Sequence, residues 1–253
     1  MRVLLVAGSP EPSSPALVAR LAAGADSVMA VDRGAEACRA AGVVPDSFCG
    51  DADTVAPETL ERLCARAGSS PEDVRRLGAV PADDVREVPE VVGLAGSGPV
   101  RLFPPAKYDT DLSLAFSCAR QLARERAERL EVTVTCASGG RMDHALAVFG
   151  VLAANADLAP VLVEDDSECR VLSPAGAPEW RLGPEARGHA LSFVALADGT
   201  LVSERGMRWE LDRFRVDALR DRGISNVVEA PDALVACHAG VLAAFLMRAR
   251  LEP

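Results

Sequence analysis

The sequence predicts an α/β N-terminal domain built on a mostly parallel, Rossmann-like sheet, followed by an all-β sandwich domain. Two observations carry that reading. Up to about residue 157, short apolar runs alternate with helical patterns, the sequence form of a parallel sheet. From residue 158 onward, short β-type runs are divided by Gly, Pro, Asp and Asn, with no helix of good length. The expected domains are therefore 1–157 and 158–253.

In the first domain "RVLLVAG", "SVMAVD", "SFCGD", "PVRLFP" and "LEVTVTCAS" read as strands. Between them "ALVARLAAG", "AEACRAAG", "PETLERLCARAG" and "DLSLAFSCARQLARERAERL" read as helices, and a further helix is expected from about Gly140. Pro57 followed by Glu58 suits the first turn of the third helix. Residues 68–98 break this rhythm with Pro, Gly and mixed charge, and read as an insertion with one short helix. In the second domain the β-type runs extend from "APVLVEDD" to "NVVEAPDALVACHAGVLAAFLM".

The chain has 253 residues, 49% of them hydrophobic, enough to bury a substantial core. It contains no run of eighteen apolar residues, and its first apolar run is too short for a membrane span or a signal peptide, so a cytoplasmic protein is expected. Its seven cysteines are scattered without a CxxC pair and read as reduced core residues. With 27 basic against 37 acidic residues the formal net charge is -10, which argues against a nonspecific partner such as nucleic acid or an anionic membrane. An anionic substrate would need locally placed Lys, Arg, backbone amides or a divalent cation.

Several polar residues fall at the carboxyl ends of expected strands: Asp32, Asp51, Asp53 and Ser138. That edge is where open α/β sheets bind ligands. Asp51 and Asp53 in "SFCGDADT" would point the same way on an extended strand end, and would repel each other unless a positive charge sat between them. "KYDTD" adds Asp109 and Asp111 ahead of a helix. Hard divalent cations such as Mg²⁺ take carboxylate oxygens and keep waters that phosphates replace. The plainer reading is capping: Asp109 or Thr110 serves as N-cap of the helix from Asp111, while capping explains at most one of Asp51 and Asp53.

In "ASGGRMDHAL" two glycines, the second Gly140, stand between strand and helix, where backbone N–H groups can approach a phosphate and Arg141 can fork its oxygens. Equally, the pair can be a tight turn, with Arg141 paired to Asp143. His144 reads as a helix-start residue, and His189 and His238 as structural. In "GMRWELD" Trp209 is either a half-exposed platform for a flat ring or cation, or a core tryptophan. Ser225 and Asn226 in "GISNVV" either hydrogen-bond a heterocycle or turn the chain.

Taken together and in order, "AVDRGAEACRAAGVVPDSFCGDADT", "KYDTDLSLA", "SGGRMDHALA", "GMRWELD" and "GISNVV" resemble the thiamine pyrophosphokinase family, over most of the chain. The resemblance implies an enzyme that transfers a pyrophosphoryl group from ATP to the hydroxyl of thiamine, giving thiamine diphosphate and AMP, in a homodimer with an N-terminal α/β and a C-terminal β-sandwich domain. It implies that Asp51, Asp53 and Asp111 are the Mg²⁺ and phosphate-site acids. Asp32 and Gly34 resemble a turn near the nucleotide. Lys107, Thr110, Gly140, Arg141 and Asp143 fall in the ATP and phosphate motifs, with Arg141 also counted among the catalytic set. Trp209, Ser225 and Asn226 resemble the thiamine-binding residues, acting across the dimer. Thr54 stands where the family more often has Ser, and the stretch from Asp53 to Thr110 is longer than the family pattern. Rival readings are a pyrophosphokinase or nucleotidyl transferase for another hydroxylated heterocycle, and a noncatalytic thiamine-binding protein.

Overall fold

The computed structural model describes residues 1–67, 70, 72, 91–95, 98–103 and 107–250. The chain divides into two compact units, Met1–Met142 and Asp143–Pro253. This division falls ahead of the helix that the sequence places at the end of the first domain, so that helix goes with the second unit.

In the first unit β1 (Arg2–Val6), β2 (Ser27–Val31), β3 (Ser47–Gly50), β5 (Gly98–Leu102) and β6 (Glu131–Thr135) run parallel, while β4 (Val91–Ala95) pairs antiparallel with β5. The order is β6-β1-β2-β3-β5-β4. Strands β2 and β3 are wholly buried and β1 is buried beyond Arg2, which is why their sequences are nearly continuous apolar runs. Leu4, Val6, Ala30, Phe48, Val100 and Leu102 share one core with Val18 and Cys38 from the helices. From β1 the chain steps outward through β2 and β3 to β5, then returns to the other side of β1 as β6. The order therefore reverses between β1 and β6, and the carboxyl ends of the parallel strands share one edge.

Among the described residues this unit has α1 (Pro15–Ala23), α2 (Gly34–Ala40), α3 (Pro57–Ala67) and α4 (Asp111–Glu125). Ser14 caps α1, its Oγ accepting from the Leu17 N–H at 3.3 Å. Helix α4 stops short of the helical sequence pattern, which runs on to Leu130. Ala127 takes φ 54°, and the Arg126 and Ala127 N–H groups turn back to the carbonyls of Leu122 and Arg124. The expected insertion at 68–98 lies largely outside the described residues. Near its end β4 forms a strand that pattern reading missed, because Gly93 and the glycines that follow read as chain breakers.

The second unit begins with α5 (Met142–Ala154) and continues as β7 (Val161–Val163), β8 (Ser167–Leu172), β9 (Glu179–Arg181), β10 (His189–Ala195), β11 (Thr200–Arg205), β12 (Leu211–Val216), β13 (Asn226–Val227), β14 (Leu234–Ala239) and β15 (Leu242–Arg250). Within this unit the strands pair antiparallel in two sets, β13-β10-β15-β8-β7 and β12-β11-β14-β9. Leu191, Phe193 and Leu242 of the first set pack in one core with Val202, Val235 and Trp180 of the second. All seven cysteines are buried as thiols. Among the described residues no helix is long and apolar enough to cross a membrane.

Candidate functional site

The site in the first unit grows from two strand ends held unusually close. Asp32 follows β2 with φ 46° and donates its N–H to the Cys49 carbonyl at 3.0 Å. Gly50 ends β3 with φ 156°, and a Cβ placed on it would stand 3.1 Å from the Asp32 backbone nitrogen and Cα. A residue without a side chain is what allows that approach. Beyond it, Ala52 takes φ 58° and the Asp53 N–H donates to Asp51 Oδ1 at 3.2 Å. Asp51 and Asp53 therefore meet through a turn after the strand, not by alternation along an extended strand end as the pattern suggested. One ligand oxygen from each of Asp32, Asp51 and Asp53 lies within 4.8 Å of the others. Thr54 donates its hydroxyl to Asp32 Oδ2.

Lys107 brings the counter-charge. Its Nζ donates to Asp51 Oδ2 at 2.7 Å and lies 3.1 Å from Asp111 Oδ1. The Lys107 and Asp51 side chains are only 5% and 8% exposed, so each charge depends on the other for what water no longer supplies. Thr110 caps α4, with its Oγ1 accepting from the Ser113 N–H at 3.3 Å, which puts Asp111 in the first turn, where a helix favours negative charge.

Among the described residues one ammonium, that of Lys107, is set against the four carboxylates of Asp32, Asp51, Asp53 and Asp111. Burial pushes the Asp111 carboxyl up to about 6, with Lys107 opposing the rise. Burial, then the charge of Asp51, pushes Asp53 up to about 6. Asp32 also rises through burial, against the hydrogen bond from Thr54. Burial acts to lower Lys107, but the hydrogen bond to Asp51 and the charge of Asp111 outweigh it and the net shift is upward. Among the described residues, buried Asp32 Oδ1 has no hydrogen-bond partner. An all-oxygen donor set with one orphaned oxygen fits a hard divalent cation such as Mg²⁺. The close group is Asp32, Asp51 and Asp53; Asp111 reaches it through Lys107, whose Nζ lies against both Asp51 and Asp111.

The glycines named from sequence have packing reasons. A Cβ on Gly34, the first residue of α2, would fall 1.8 Å from the Val6 carbonyl oxygen. One on Gly140, at φ 70°, would fall 2.2 Å from Pro10 Cγ, so this glycine lets the loop after β6 lie against the loop after β1, beside the reversal in strand order. Arg141 is exposed in that loop. Asp143 is exposed at the start of α5 in the second unit, its Oδ1 accepting from the His144 N–H at 3.0 Å.

In the second unit Trp209 is 59% exposed, and the buried core tryptophan is Trp180. The Arg208 guanidinium stands 5.9 Å from the Trp209 ring centroid. Asn226 is buried: its Oδ1 accepts from the N–H groups of Trp209 at 3.1 Å and Val227 at 2.9 Å, and its Nδ2 donates to the Trp209 carbonyl at 2.7 Å and Glu204 Oε2 at 2.9 Å. Ser225 is exposed with φ 62°, and its N–H donates to Ser192 Oγ at 2.9 Å. Gly50, Thr54 and Glu204 were not named as site residues from the sequence. The glycine directly ahead of an Asp-x-Asp was the signal available for the first of them.

These observations define a class: an open α/β sheet carrying an acidic cluster on its carboxyl edge, joined to an antiparallel two-sheet unit. Solved thiamine pyrophosphokinases share this fold. The enzyme from Bacillus subtilis matches at TM-score 0.67 and 17% identity, over 98% of this chain and 99% of that one. A thiamin pyrophosphokinase family protein from Enterococcus faecalis matches at TM-score 0.67 and 21% identity, over 99% and 100%. The Candida albicans enzyme matches at TM-score 0.67 and 13% identity, over 97% and 88%. At these identities the likeness is one of fold. No protein-family model and no curated protein matches the sequence.

Proposed function

We propose that this chain is a thiamine diphosphokinase, transferring pyrophosphate from ATP to the hydroxyl of thiamine to give thiamine diphosphate and AMP. The observation that carries the reading is the convergence of Asp32, Asp51 and Asp53 beside the Lys107–Asp111 pair at the carboxyl edge of the sheet. The fold shared with solved thiamine pyrophosphokinases and the five ordered motifs support it.

Pyrophosphoryl transfer depends on positioning and on neutralising charge, and needs no covalent intermediate on the protein. Asp51 and Asp53 would hold Mg²⁺ with Asp32 as the third carboxylate of the group. Magnesium, when bound, neutralises phosphate charge and fixes phosphate oxygens. Lys107, locked between two acids, offers a fixed positive charge to a phosphate, and Arg141 a guanidinium fork for its oxygens. Asp111, near 6 and outside the close group of three, is largely ionised at neutral pH and so can accept the thiamine hydroxyl proton. Trp209 and Ser225 would meet the thiamine heterocycles, in a homodimer in which each site draws on both subunits.

Incubation of the purified protein with thiamine, ATP and Mg²⁺, followed by chromatography, tests this. Thiamine diphosphate and AMP should form in equal amounts and neither should form with EDTA. AMP without thiamine diphosphate would assign a different acceptor, and thiamine binding without AMP would make the chain a binding protein.

A further inference from the structure

We propose that Glu204 is a positioning residue that acts through Asn226 to fix the main chain at Trp209, and so sets where the exposed indole stands. Only the consequence for thiamine rests on the function proposed above.

Glu204 lies on β11, one residue past Ser203 and two past the core residue Val202, and is only 1% exposed. Its paired neighbours are Val235 on β14 and Leu211 on β12. An apolar residue is the usual occupant of such a position, because a buried carboxyl must find partners to replace water. Here Oε2 accepts from Asn226 Nδ2 at 2.9 Å, and buried Oε1 has no partner among the described residues. Burial raises this carboxyl to about 7, with the Asn226 hydrogen bond opposing the rise. The position therefore carries a cost that a Val or Leu would avoid.

What the carboxyl contributes is an orientation. Asn226 has two donor hydrogens and two acceptor lone pairs on its amide, and all four are engaged. With Nδ2 facing Glu204 and the Trp209 carbonyl, Oδ1 faces the N–H groups of Trp209 and Val227. Turning the amide over would set its oxygen against two acceptors and its nitrogen against two donors. The Glu204 acceptor thus helps fix the one orientation in which Asn226 brackets Trp209 at both its N–H and its carbonyl. Nearby contacts hold the same turn: the Arg208 N–H donates to the Val227 carbonyl at 2.9 Å, and the Gly206 N–H to Glu210 Oε1 at 2.8 Å. Since the amide of Asn226 is fully engaged, a ligand at this surface meets the Trp209 ring and Ser225, not Asn226. This recasts Asn226 from a thiamine contact to part of the mount for Trp209.

The test uses the full chain labelled with 5-fluorotryptophan. Its two indoles give two ¹⁹F resonances, and Trp209→Phe assigns them. Glu204→Met, close in volume and without an acceptor, should move or broaden the Trp209 resonance more than that of Trp180. Glu204→Gln, which keeps an oxygen for Asn226, should leave it near its original position. The thiamine KM should rise about tenfold in Glu204→Met while the ATP KM stays within about twofold, the split expected when one binding surface is displaced. A Trp209 resonance unmoved in folded Glu204→Met, or moved no more than that of Trp180, overturns the proposal. If Glu204→Met does not fold, Glu204→Asp, one methylene shorter, carries the same comparison with the same overturning result. A Trp209 resonance that moves in a protein that never binds thiamine supports the positioning role while refuting the thiamine reading.

Discussion

The acid edge of the first unit and the Trp209 turn of the second are both rich in polar groups, but they satisfy them in opposite ways. At the acid edge, among the described residues, carboxylates outnumber the one ammonium and a buried Asp32 oxygen has no partner. At the turn Asn226 has every hydrogen-bonding position filled from within the chain, and what faces outward is an aromatic ring. The lesson is that an incomplete polar cluster asks for an external partner, whereas a completed one is scaffolding for whatever it holds in place. Glu204 Oε1 is the exception at the turn, a buried oxygen with no partner among the described residues.

The contrast breaks most sharply at the acids. Asp51→Asn and Asp53→Asn should each lower kcat by at least about 10³-fold, the scale of losing a charge-stabilising group, while the melting transition stays cooperative. Near-normal turnover in both would remove the cation from the reading. Next comes Lys107→Met, which strands Asp51 without its buried counter-ion. Breaking such a pair costs about 3–5 kcal/mol, to be read from urea unfolding, and a loss of that size should be partly restored by added Mg²⁺.

Glu204→Gln probes the scaffold. The folded pKa of Glu204, about 7, lies above its ordinary 4.5, so the folded state holds its proton more tightly than the unfolded chain does. Native stability from this group is therefore complete below pH 4.5 and is lost as pH rises toward 7, by about 3 kcal/mol in all. The Gln variant lacks that loss, so its stability relative to the parent should grow between pH 5 and pH 8. An unchanged difference would mean that the carboxyl is not burdened by burial. Trp209→Ala should raise the thiamine KM about tenfold with little change for ATP, in keeping with a cation–π contact of about 1–2 kcal/mol. Equal effects on both substrates would make the ring structural. The smallest effect belongs to Thr110→Ala, which removes a helix cap worth about 1 kcal/mol. A rise in ATP KM beyond what that destabilisation explains would add a phosphate contact to the capping role.

How far these features were legible depends on how local their causes are. Strands β1 to β3 were readable because burial on both faces demands unbroken apolar runs. The end of α4 was not, since a single left-handed Ala127 stops a helix whose apolar pattern continues. β4 was hidden by glycines that carry no strand signal. The aspartates were visible as residues, but their geometry was not. Asp51 and Asp53 converge through a left-handed Ala52, and Asp32 joins them because Gly50 lets β2 and β3 close together at their ends. Glu204 was invisible for a different reason. A Glu flanked by Ser and Arg reads as solvent-facing, and its burial makes sense only once Asn226, far along the chain, is seen to fold back onto it.

The tight approach at Gly50 has a further consequence. Asp32 and Asp51 come from separate strands, so their oxygens are neighbours only while those strands are paired. The unfolded chain therefore has no comparable cluster, and a divalent ion that binds there does so to the native form alone. Such an ion would act as a thermal clamp: at a concentration about 100-fold above its dissociation constant it would add about 2.7 kcal/mol to folding. A melting temperature that climbs with Mg²⁺, and stops climbing when Gly50 is replaced by Val, would show substrate-free metal binding and sheet closure to be one equilibrium.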